Sequence, residues 1–423
     1  MSELWRAQLA CPQCGGRVEL DVGDPVLSCA FCRTGLYLVS PGPLCYRLPP
    51  APERLGAEPL LYLPFWRFRG LRYRVTADPP QVQGGLLDAT VPALDALPSG
   101  ANLGVRPQVA PLALDLGGVP AAVADRSAAA AVESAQGAVD ALHAGPALFT
   151  RLIGETVALV LAPHTVEERA AGWVLQQALR DGATYPLTQA QAQALRAGPA
   201  TEGAGKTGRV AFVPLRCPEC GHGLPASPGA QAFLCGHCTR AWWVRGGAPA
   251  PMPYAARRAR HRGARYFPFW ELAFRATGLP AQSRAELRRW VVSYQPAPAG
   301  WDRQSCLLLV PGFKLQPRTF LRLARVLSLA PLDVPDFPHL FGEPFEAEPV
   351  RLPLAEAAQV LKVLLAQLVA GRAKDLARVA DVTLRVKRAR LVFLPFHRRG
   401  DDWVEEQTGT AVQAAAVEHG TRI

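Results

Sequence analysis

Alternating apolar runs separated by polar turns dominate this chain, and helical patterns are fewer. Residues 62–75 alternate and carry five aromatic side chains, as expected for a strand pair or a bent strand. Alternation resumes at 391 and ends in a polar turn at 399–402, after which Trp403 and Val404 begin a returning strand, so a hairpin is predicted. Helices are predicted in three segments: 127–142, 319–329 and 353–370. The pattern therefore predicts a strand-rich α+β protein.

Motifs of the first half recur in the second half in the same order, which indicates an internal duplication. The matching segments are 62–66 with 266–270, 97–100 with 310–312, and 159–164 with 391–397. In this alignment His164 and His397 occupy matched places near a strand end. We interpret them as turn residues, and a catalytic pair is the less favoured alternative. The interior prolines of the Pro-Phe-Trp motifs, Pro64 and Pro268, predict an edge position, a bulge or a sharp entry into the strand.

Eight of the ten cysteines form two identical patterns, each with two Cys-x2-Cys pairs separated by 14 residues. The quartets are Cys11, Cys14, Cys29 and Cys32, and Cys217, Cys220, Cys235 and Cys238. The two-residue spacing lets both sulfurs of a pair face one ion, and a following glycine, Gly15 or Gly221, permits the tight turn. Four thiolates form the closed tetrahedral shell of a structural zinc site, so the spacing predicts two Zn²⁺ ions. Disulfides or an iron–sulfur cluster are the alternatives.

Four further residues have side chains that can bind metal or react. His222 and His237 lie inside the second cysteine pattern, where they are either ligands or polar loop residues beside a complete set of four cysteines, and the loop interpretation is favoured. Cys45 and Cys306 have no partner motif, which favours small buried apolar residues over nucleophiles.

Composition divides the chain into four domains joined by linkers rich in proline and glycine. We predict a first zinc ribbon at 1–40, an α+β domain at 60–200, a second zinc ribbon at 209–246 and a second α+β domain at 265–423. The joint at 201–208 contains a phosphate-loop-like segment at 203–207, but Ala200 stands where the first glycine is required. We therefore expect no nucleotide site in this joint.

The charge of the chain points to one candidate binding segment. Hydrophobic residues make up 49% of the chain, which rules out a wholly disordered protein. The net charge of +11 is carried mainly by arginine, and part of this excess reflects a general compositional bias. Arginines cluster after the second ribbon: Arg257, Arg258, Arg260, Arg262 and Arg265. Such a run beside a zinc ribbon contacts phosphates, is a solvated linker or touches anionic lipid.

Membrane and export signals are not recognisable in the sequence. The N-terminal residues contain no apolar run of the kind that a secretory signal requires. The most apolar stretch, 352–370, contains Glu356 and Lys362 and is typical of an amphipathic core helix. A cytoplasmic location is therefore expected.

The Cys-Pro-x-Cys ribbons combined with Pro-Phe-Trp strand motifs resemble prokaryotic tandem zinc-ribbon proteins of unknown function. Such chains are often labelled as similar to the zinc ribbon of the primosomal helicase or of transcription factor IIB. The resemblance covers both ribbons and the segments around Pro64, Pro268 and Pro395. It implies the metal sites and no activity, because the Walker motifs of a helicase are missing.

No catalytic motif is found, so we expect a protein that is not an enzyme. The acidic cluster of Asp401, Asp402, Glu405 and Glu406 is predicted to be the solvated tip of a hairpin. The favoured function is an adaptor or scaffold whose duplicated domains bind partner proteins. The alternative is a nucleic-acid-binding protein that uses the arginines of 257–265.

Overall fold

The computed structural model describes residues 6–21, 24–40, 42–54, 59–98, 100–104, 112–115, 121–140, 145–197, 211–292, 296–332 and 345–420. The chain divides into two compact units with interleaved segments. The first unit comprises Met1–Gly70, Leu86–His143 and Gly154–Pro214, and the second comprises Leu71–Gly85, Ala144–Ile153 and Leu215–Ile423. The phosphate-loop-like segment 203–207 lies outside the described residues.

The first unit is built on a curved sheet, to which the N-terminal hairpin β1–β2 adds two strands. The strands of this half of the chain are β1 (Arg6–Ala10), β2 (Arg17–Asp21), β3 (Val26–Ser28), β4 (Gly35–Val39), β5 (Leu44–Arg47), β6 (Leu61–Ala77), β7 (Pro80–Pro92), β8 (Leu112–Leu114), β9 (Ala147–Arg169), β10 (Gly172–Gln177), β11 (Thr184–Leu187) and β12 (Ala211–Pro214). Its helices are α1 (Ala128–Asp140) and α2 (Gln189–Arg196). Parts of three of these strands belong to the second unit: 71–77 of β6, 80–85 of β7 and 147–153 of β9. The main sheet has the order β11-β10-β9-β5-β8-β1-β2, with β6 paired to β7 and β9.

The second unit repeats this arrangement with more helices. Its strands are β13 (Phe233–Leu234), β14 (Ala241–Arg245), β15 (Ala248–Pro251), β16 (Tyr254–Ala256), β17 (Arg265–Thr277), β18 (Cys306–Pro311), β19 (Thr383–Arg399), β20 (Asp402–Glu405) and β21 (Ala411–Gln413). Its helices are α3 (Arg284–Val291), α4 (Pro317–Leu329), α5 (Leu354–Leu368), α6 (Ala373–Ala380) and α7 (Ala414–Gly420). The sheet order is β18-β17-β19-β20-β21, with β16 paired in parallel to β19.

Apolar patterning explains why β17 and β19 occupy the middle of the second sheet. Residues 266–274 of β17 and 391–396 of β19 are buried without interruption, as expected for strands covered on both faces. Helix α5 packs its leucines on this sheet, which places Leu361 and Leu364 in the same core as the phenylalanines of β17. The strand-rich α+β class expected from the sequence is therefore confirmed.

Matching hydrogen bonds support the duplication at the level of single atoms. Trp66 Nε1 donates to the carbonyl of Arg126, and Trp270 Nε1 donates to the carbonyl of Leu352, both over 2.8 Å. Each acceptor lies two residues before a helix, α1 in the first copy and α5 in the second. The two sheets are similar half-barrels, which is consistent with a two-part duplication.

Two details of the sequence alignment are corrected by the structure. Pro64 O accepts from Ala93 N over 3.0 Å, and Pro268 O accepts from Gly312 N over 2.8 Å. Position 93 therefore matches Gly312, and the match of 97–100 with 310–312 is wrong because short Pro-containing turns are easily misaligned. An edge position for Pro268 is also wrong, since β17 lies between β18 and β19. The ladder with β18 starts at Phe269, so the missing N–H of Pro268 falls just beyond its end.

The two copies differ in the elements inserted around their paired strands. Between β7 and residue 121, the described part of the first copy contains β8, which joins β5 to β1. The second copy instead has α3 between β17 and β18, and α4 after β18. These insertions explain why the offset between matching motifs grows along the chain.

Candidate metal centres and the basic loop

Each cysteine quartet converges to a single cluster of four thiols. In ribbon 1, which we define by Cys11, Cys14, Cys29 and Cys32, the Sγ–Sγ distances are 3.8 Å for Cys11–Cys32 and 3.5 Å for Cys14–Cys29. In ribbon 2, defined by the other quartet, Cys217–Cys238 and Cys220–Cys235 are both 3.5 Å apart. A tetrahedral shell with Zn–S bonds of about 2.3 Å has edges of about 3.8 Å. The donor sets therefore fit one zinc ion each.

The backbone forms the same tight turn at the start of each ribbon. Cys11 N donates to Gly16 O over 2.8 Å, and Cys217 N donates to His222 O over the same distance. Gly15 and Gly221 adopt φ values of +73° and +75°, which confirms the turn expected at these glycines. The second turn of each ribbon places a residue with a side chain, Arg33 or Thr239, at a positive φ of 59° or 58°. These two positions were not predicted, because only glycine signals such a conformation in a sequence.

The four thiols of a quartet differ in burial, and hydrogen bonds give them different pKa values. The first cysteine of every pair is buried and the second is half-buried or exposed. In ribbon 1 the Thr34 hydroxyl and backbone N–H lower the pKa of the Cys32 thiol to about 6, which favours the thiolate that a metal requires. In ribbon 2 burial raises the pKa of Cys238 to about 12, whereas at Cys217 the effect of burial is outweighed by the backbone N–H groups of Cys220 and Glu219, which lower its pKa to about 7. A bound dication reverses the upward shift at Cys238, because its charge stabilises the thiolate.

A third strand completes the sheet of each ribbon, but the two third strands come from different parts of the chain. In ribbon 2, β14 pairs with β15 through a turn at Gly246 and Gly247. In ribbon 1, β4 pairs with β12, whose residues follow the whole first copy in the sequence. The segment that begins the range 209–246 thus belongs to the sheet of ribbon 1.

Different side chains cover the two metal turns. Phe31 is 70% exposed and its ring lies against Gly16, where an added Cβ would collide with it. The same places in ribbon 2 hold His237 and His222, whose rings stack 3.9 Å apart at 9°. Each ring has a nitrogen within 4.8 Å of Cys220 Sγ, but that thiol already belongs to the quartet. Lone pairs of parallel stacked imidazoles do not converge on one ion, so the pair supports the loop interpretation over a ligand role.

The basic loop, residues 257–265, is tied to the rest of the second unit by carboxylates. Arg257 Nη2 lies 2.6 Å from Glu405 Oε1, and Arg265 Nη2 lies 2.7 Å from Glu348 Oε2. Two of the five predicted contact arginines therefore have carboxylate partners. The other three are exposed: Arg258, Arg260 and Arg262.

The acidic cluster at 401–406 is not a solvated tip throughout. Asp401 is exposed, but Glu405 is fully buried and Glu406 accepts the backbone N–H groups of Arg260 and His261 over 2.6 and 3.1 Å. Glu405 Oε2 also accepts from the turn at Thr408 over 2.7 Å. The prediction failed because groups of a distant loop compensate these charges.

His261, His397 and Glu406 form a further cluster that the sequence did not suggest. Their ligand atoms lie within 4.8 Å of one another. The two imidazoles are stacked at 4.1 Å and 25°, and Glu406 Oε1 already accepts from His261 N over 3.1 Å. The cluster therefore anchors the basic loop.

His164 lies in the core of the first unit and does not match His397. His164 of β9 pairs with Gln177 of the neighbouring strand β10. Its ring stacks on Phe65 with the centroids 5.5 Å apart, and Phe396 stacks on Phe269 in the same way at 6.3 Å. The alignment was one residue out, because the histidines follow matching prolines at different spacings. Burial lowers the pKa of His164 to about 4.

The two cysteines outside the quartets are buried, as the sequence predicted. Burial raises the pKa of Cys45 to about 12 and that of Cys306 to about 11. A thiol held in its protonated form is a poor nucleophile, so these values argue against a catalytic role.

No family model matches this chain, and no curated protein or solved structure matches it significantly. The two four-cysteine clusters are the part of the resemblance to tandem zinc-ribbon proteins that the structure supports. Within the described ranges, no helix is long and apolar enough to cross a bilayer.

Proposed function

We propose that this is a zinc protein with two structural ions, one in each ribbon. The Sγ–Sγ distances of 3.5–3.8 Å carry the proposal, since they match the edges of a zinc–thiolate tetrahedron. Four thiolates leave no open coordination position, so the ions would organise the ribbons and perform no hydrolysis.

Metal analysis combined with thiol titration tests this proposal. The purified chain should contain two zinc ions, and eight of its ten thiols should be protected until a chelator is added. Cys45→Ala and Cys306→Ala serve as controls that retain both ions. One ion or none, or protection that survives a chelator but not a reductant, would contradict it.

We propose further that the chain is a non-enzymatic adaptor that binds partner proteins through its duplicated halves. The supporting observation is that the two ribbons keep one scaffold but expose different groups over the metal turn, Phe31 in one and the His222–His237 stack in the other. An exposed aromatic ring on a rigid turn is typical of a contact anchor.

Site-specific cross-linking tests the adaptor function. A photoreactive phenylalanine analogue is placed at position 31, at position 237 and, as the control, at the exposed Asp401. Adducts with a defined protein from position 31 or 237, but not from 401, are expected. The same adducts from all three positions, or none, would count against an adaptor.

The second candidate is nucleic-acid binding, and one observation favours it. Arg258, Arg260 and Arg262 are exposed on a loop that Glu406 fixes through two backbone hydrogen bonds. A fixed cationic loop loses less entropy on binding a phosphate chain than a flexible linker. Retention on DNA that falls steeply with salt is the expected result, and binding that does not depend on salt would contradict it.

A further inference from the structure

Helix α4 has an arginine stripe along its exposed face. Arg318, Arg322 and Arg325 are exposed and are spaced by four and three residues, so they lie on one side of the helix. The sequence of α4 contains no acidic residue. Its opposite face is buried in the core of the second unit through five apolar residues: Phe320, Leu321, Leu323, Ala324 and Leu327.

A chain of hydrogen bonds connects this helix to the basic loop. Arg257 Nη1 donates to Gln407 Oε1 over 2.5 Å, and Gln407 Nε2 donates to Pro331 O, just beyond the end of α4, over 2.9 Å. Arg322 Nη2 donates to Ala411 O over 2.9 Å. The loop and α4 are thus both fixed to residues between the start of β20 and the end of β21.

Two carboxylates beside the basic loop, Glu405 and Glu406, are already engaged. Glu405 pairs with Arg257, and Glu406 accepts from the backbone of the loop. Six exposed arginines are therefore left on the loop and α4, and among the described residues none of them pairs with a carboxylate: Arg258, Arg260, Arg262, Arg318, Arg322 and Arg325.

We propose that the basic loop and α4 form one surface that binds the phosphate backbone of nucleic acid. This inference rests on the second proposed function. Successive arginines of the stripe rise about 6 and 4.5 Å along the helix, a spacing that suits a densely charged phosphate chain. Guanidinium groups also bind phosphate oxygens in a bidentate manner.

The same geometry argues against a membrane as the occupant. An amphipathic helix binds a bilayer by inserting its apolar face, and the apolar face of α4 is packed in the core. A guanidinium group that pairs with phosphate oxygens reads no base, so this mode of binding should be independent of sequence.

Fluorescence anisotropy with a labelled duplex DNA tests the proposal on the full-length, zinc-loaded chain. A helix variant carries Arg318→Ala, Arg322→Ala and Arg325→Ala, and a loop variant carries Arg258→Ala, Arg260→Ala and Arg262→Ala. The control, Arg54→Ala with Arg180→Ala and Arg303→Ala, removes the same charge at exposed positions elsewhere. Zinc content and circular dichroism verify that each variant is folded.

Both test variants should reduce the slope of log K against log salt by roughly one unit for each phosphate that is no longer neutralised, and the control should match the wild type. A helix variant equal to the control, with the wild type still binding, would overturn this inference and leave the proposed function intact. Absence of wild-type binding would remove both. Equal binding to vesicles rich in phosphatidylserine, abolished in the same variants, would overturn it in favour of a membrane.

Discussion

The two ribbons hold their thiols with the same turns but complete their sheets with strands of different origin. Ribbon 2 closes locally, because β15 follows β14 after two glycines. The third strand of ribbon 1 is β12, which follows the whole first copy in the sequence. Loop-closure entropy grows with the length of chain between paired strands. Ribbon 1 should therefore depend on the folding of the first unit, whereas the sheet of ribbon 2 needs no strand from outside the ribbon, although Gln231 N also donates to Val350 O over 2.7 Å.

A second difference lies at matched core positions of the two copies. The first copy places His164 where the second places Phe396, in the same stack on the Pro-Phe-Trp phenylalanine. The phenyl ring of Phe396 does not titrate. Protonation of the buried His164 imidazole, in contrast, places a charge in the core, which destabilises the folded state. The first copy should thus be the more acid-labile one.

The largest expected effect comes from removing a thiolate. A structural zinc site contributes apparent binding free energies of about 10–16 kcal/mol, and this energy stabilises the folded ribbon. Cys29→Ser should lose one ion together with hydrogen-exchange protection in β4 and β12. Cys235→Ser should lose one ion together with protection in β13–β15, which all lie within this ribbon. Exchange measured by mass spectrometry on both variants provides the comparison.

The control for these variants is Cys306→Ser, whose hydroxyl replaces a buried thiol that lies 3.5 Å from Ser283 O. It should retain both ions. Unchanged protection of β12 in the Cys29→Ser variant would show that ribbon 1 does not need its metal to hold the distant strand.

The next effect concerns acid stability. The pKa of His164 is lowered to about 4 from 6.5, so its contribution is full above pH 6.5 and is lost as the pH falls toward 4. The loss amounts to about 3 kcal/mol. His164→Phe, the residue of the second copy, should remove this dependence. Urea unfolding of both proteins from pH 7 to pH 4.5 measures the difference, in which effects of acid on the zinc sites cancel. A constant difference across this range would contradict the prediction.

How much the sequence reveals depends on the distance over which a feature is encoded. The metal turns are local, so the cysteine spacing with Gly15 and Gly221 predicted both clusters. Helices α1, α4 and α5 were also predicted from their own segments, α1 from its alanine content and α5 from its apolar periodicity. The pairing of β12 with β4 joins residues far apart in the chain, and no local pattern specifies a strand partner.

Ion pairs between residues that are far apart in the chain are equally hard to predict from sequence. Glu405 has the sequence context of an exposed hairpin residue, yet Arg257 from another segment allows its burial. The histidine match failed at short range, because His164 directly follows its proline whereas His397 lies two residues after the matching one. The stacking of His164 on Phe65 and of Phe396 on Phe269 shows which positions correspond.

A smaller effect should distinguish the two sheet closures directly. Val213 of β12 is buried opposite Tyr37, and Val213→Ala removes two methyl groups at a cost of about 2 kcal/mol. Zinc release from ribbon 1 should then accelerate by roughly thirtyfold, since 1.4 kcal/mol is about tenfold. Transfer of zinc to a chromophoric chelator measures it, with Cys235→Ser as the background so that only ribbon 1 reports. Val244→Ala removes the same two methyl groups from ribbon 2 and should leave that rate unchanged. An unchanged rate in Val213→Ala would mean that ribbon 1 does not rely on β12.

The smallest effect tests the residues over the metal turns. Gly16→His alone should destabilise ribbon 1, because its Cβ meets the ring of Phe31. Adding Phe31→His recreates the stacked pair of ribbon 2 and should recover about 0.5–1 kcal/mol of that loss, as a double-mutant cycle on zinc-release rates would measure. His222→Gly combined with His237→Phe is the reciprocal swap and should be nearly neutral in ribbon 2. If the two substitutions in ribbon 1 were simply additive, the covering residues would not be coupled, and the ribbons would differ only in how their sheets close.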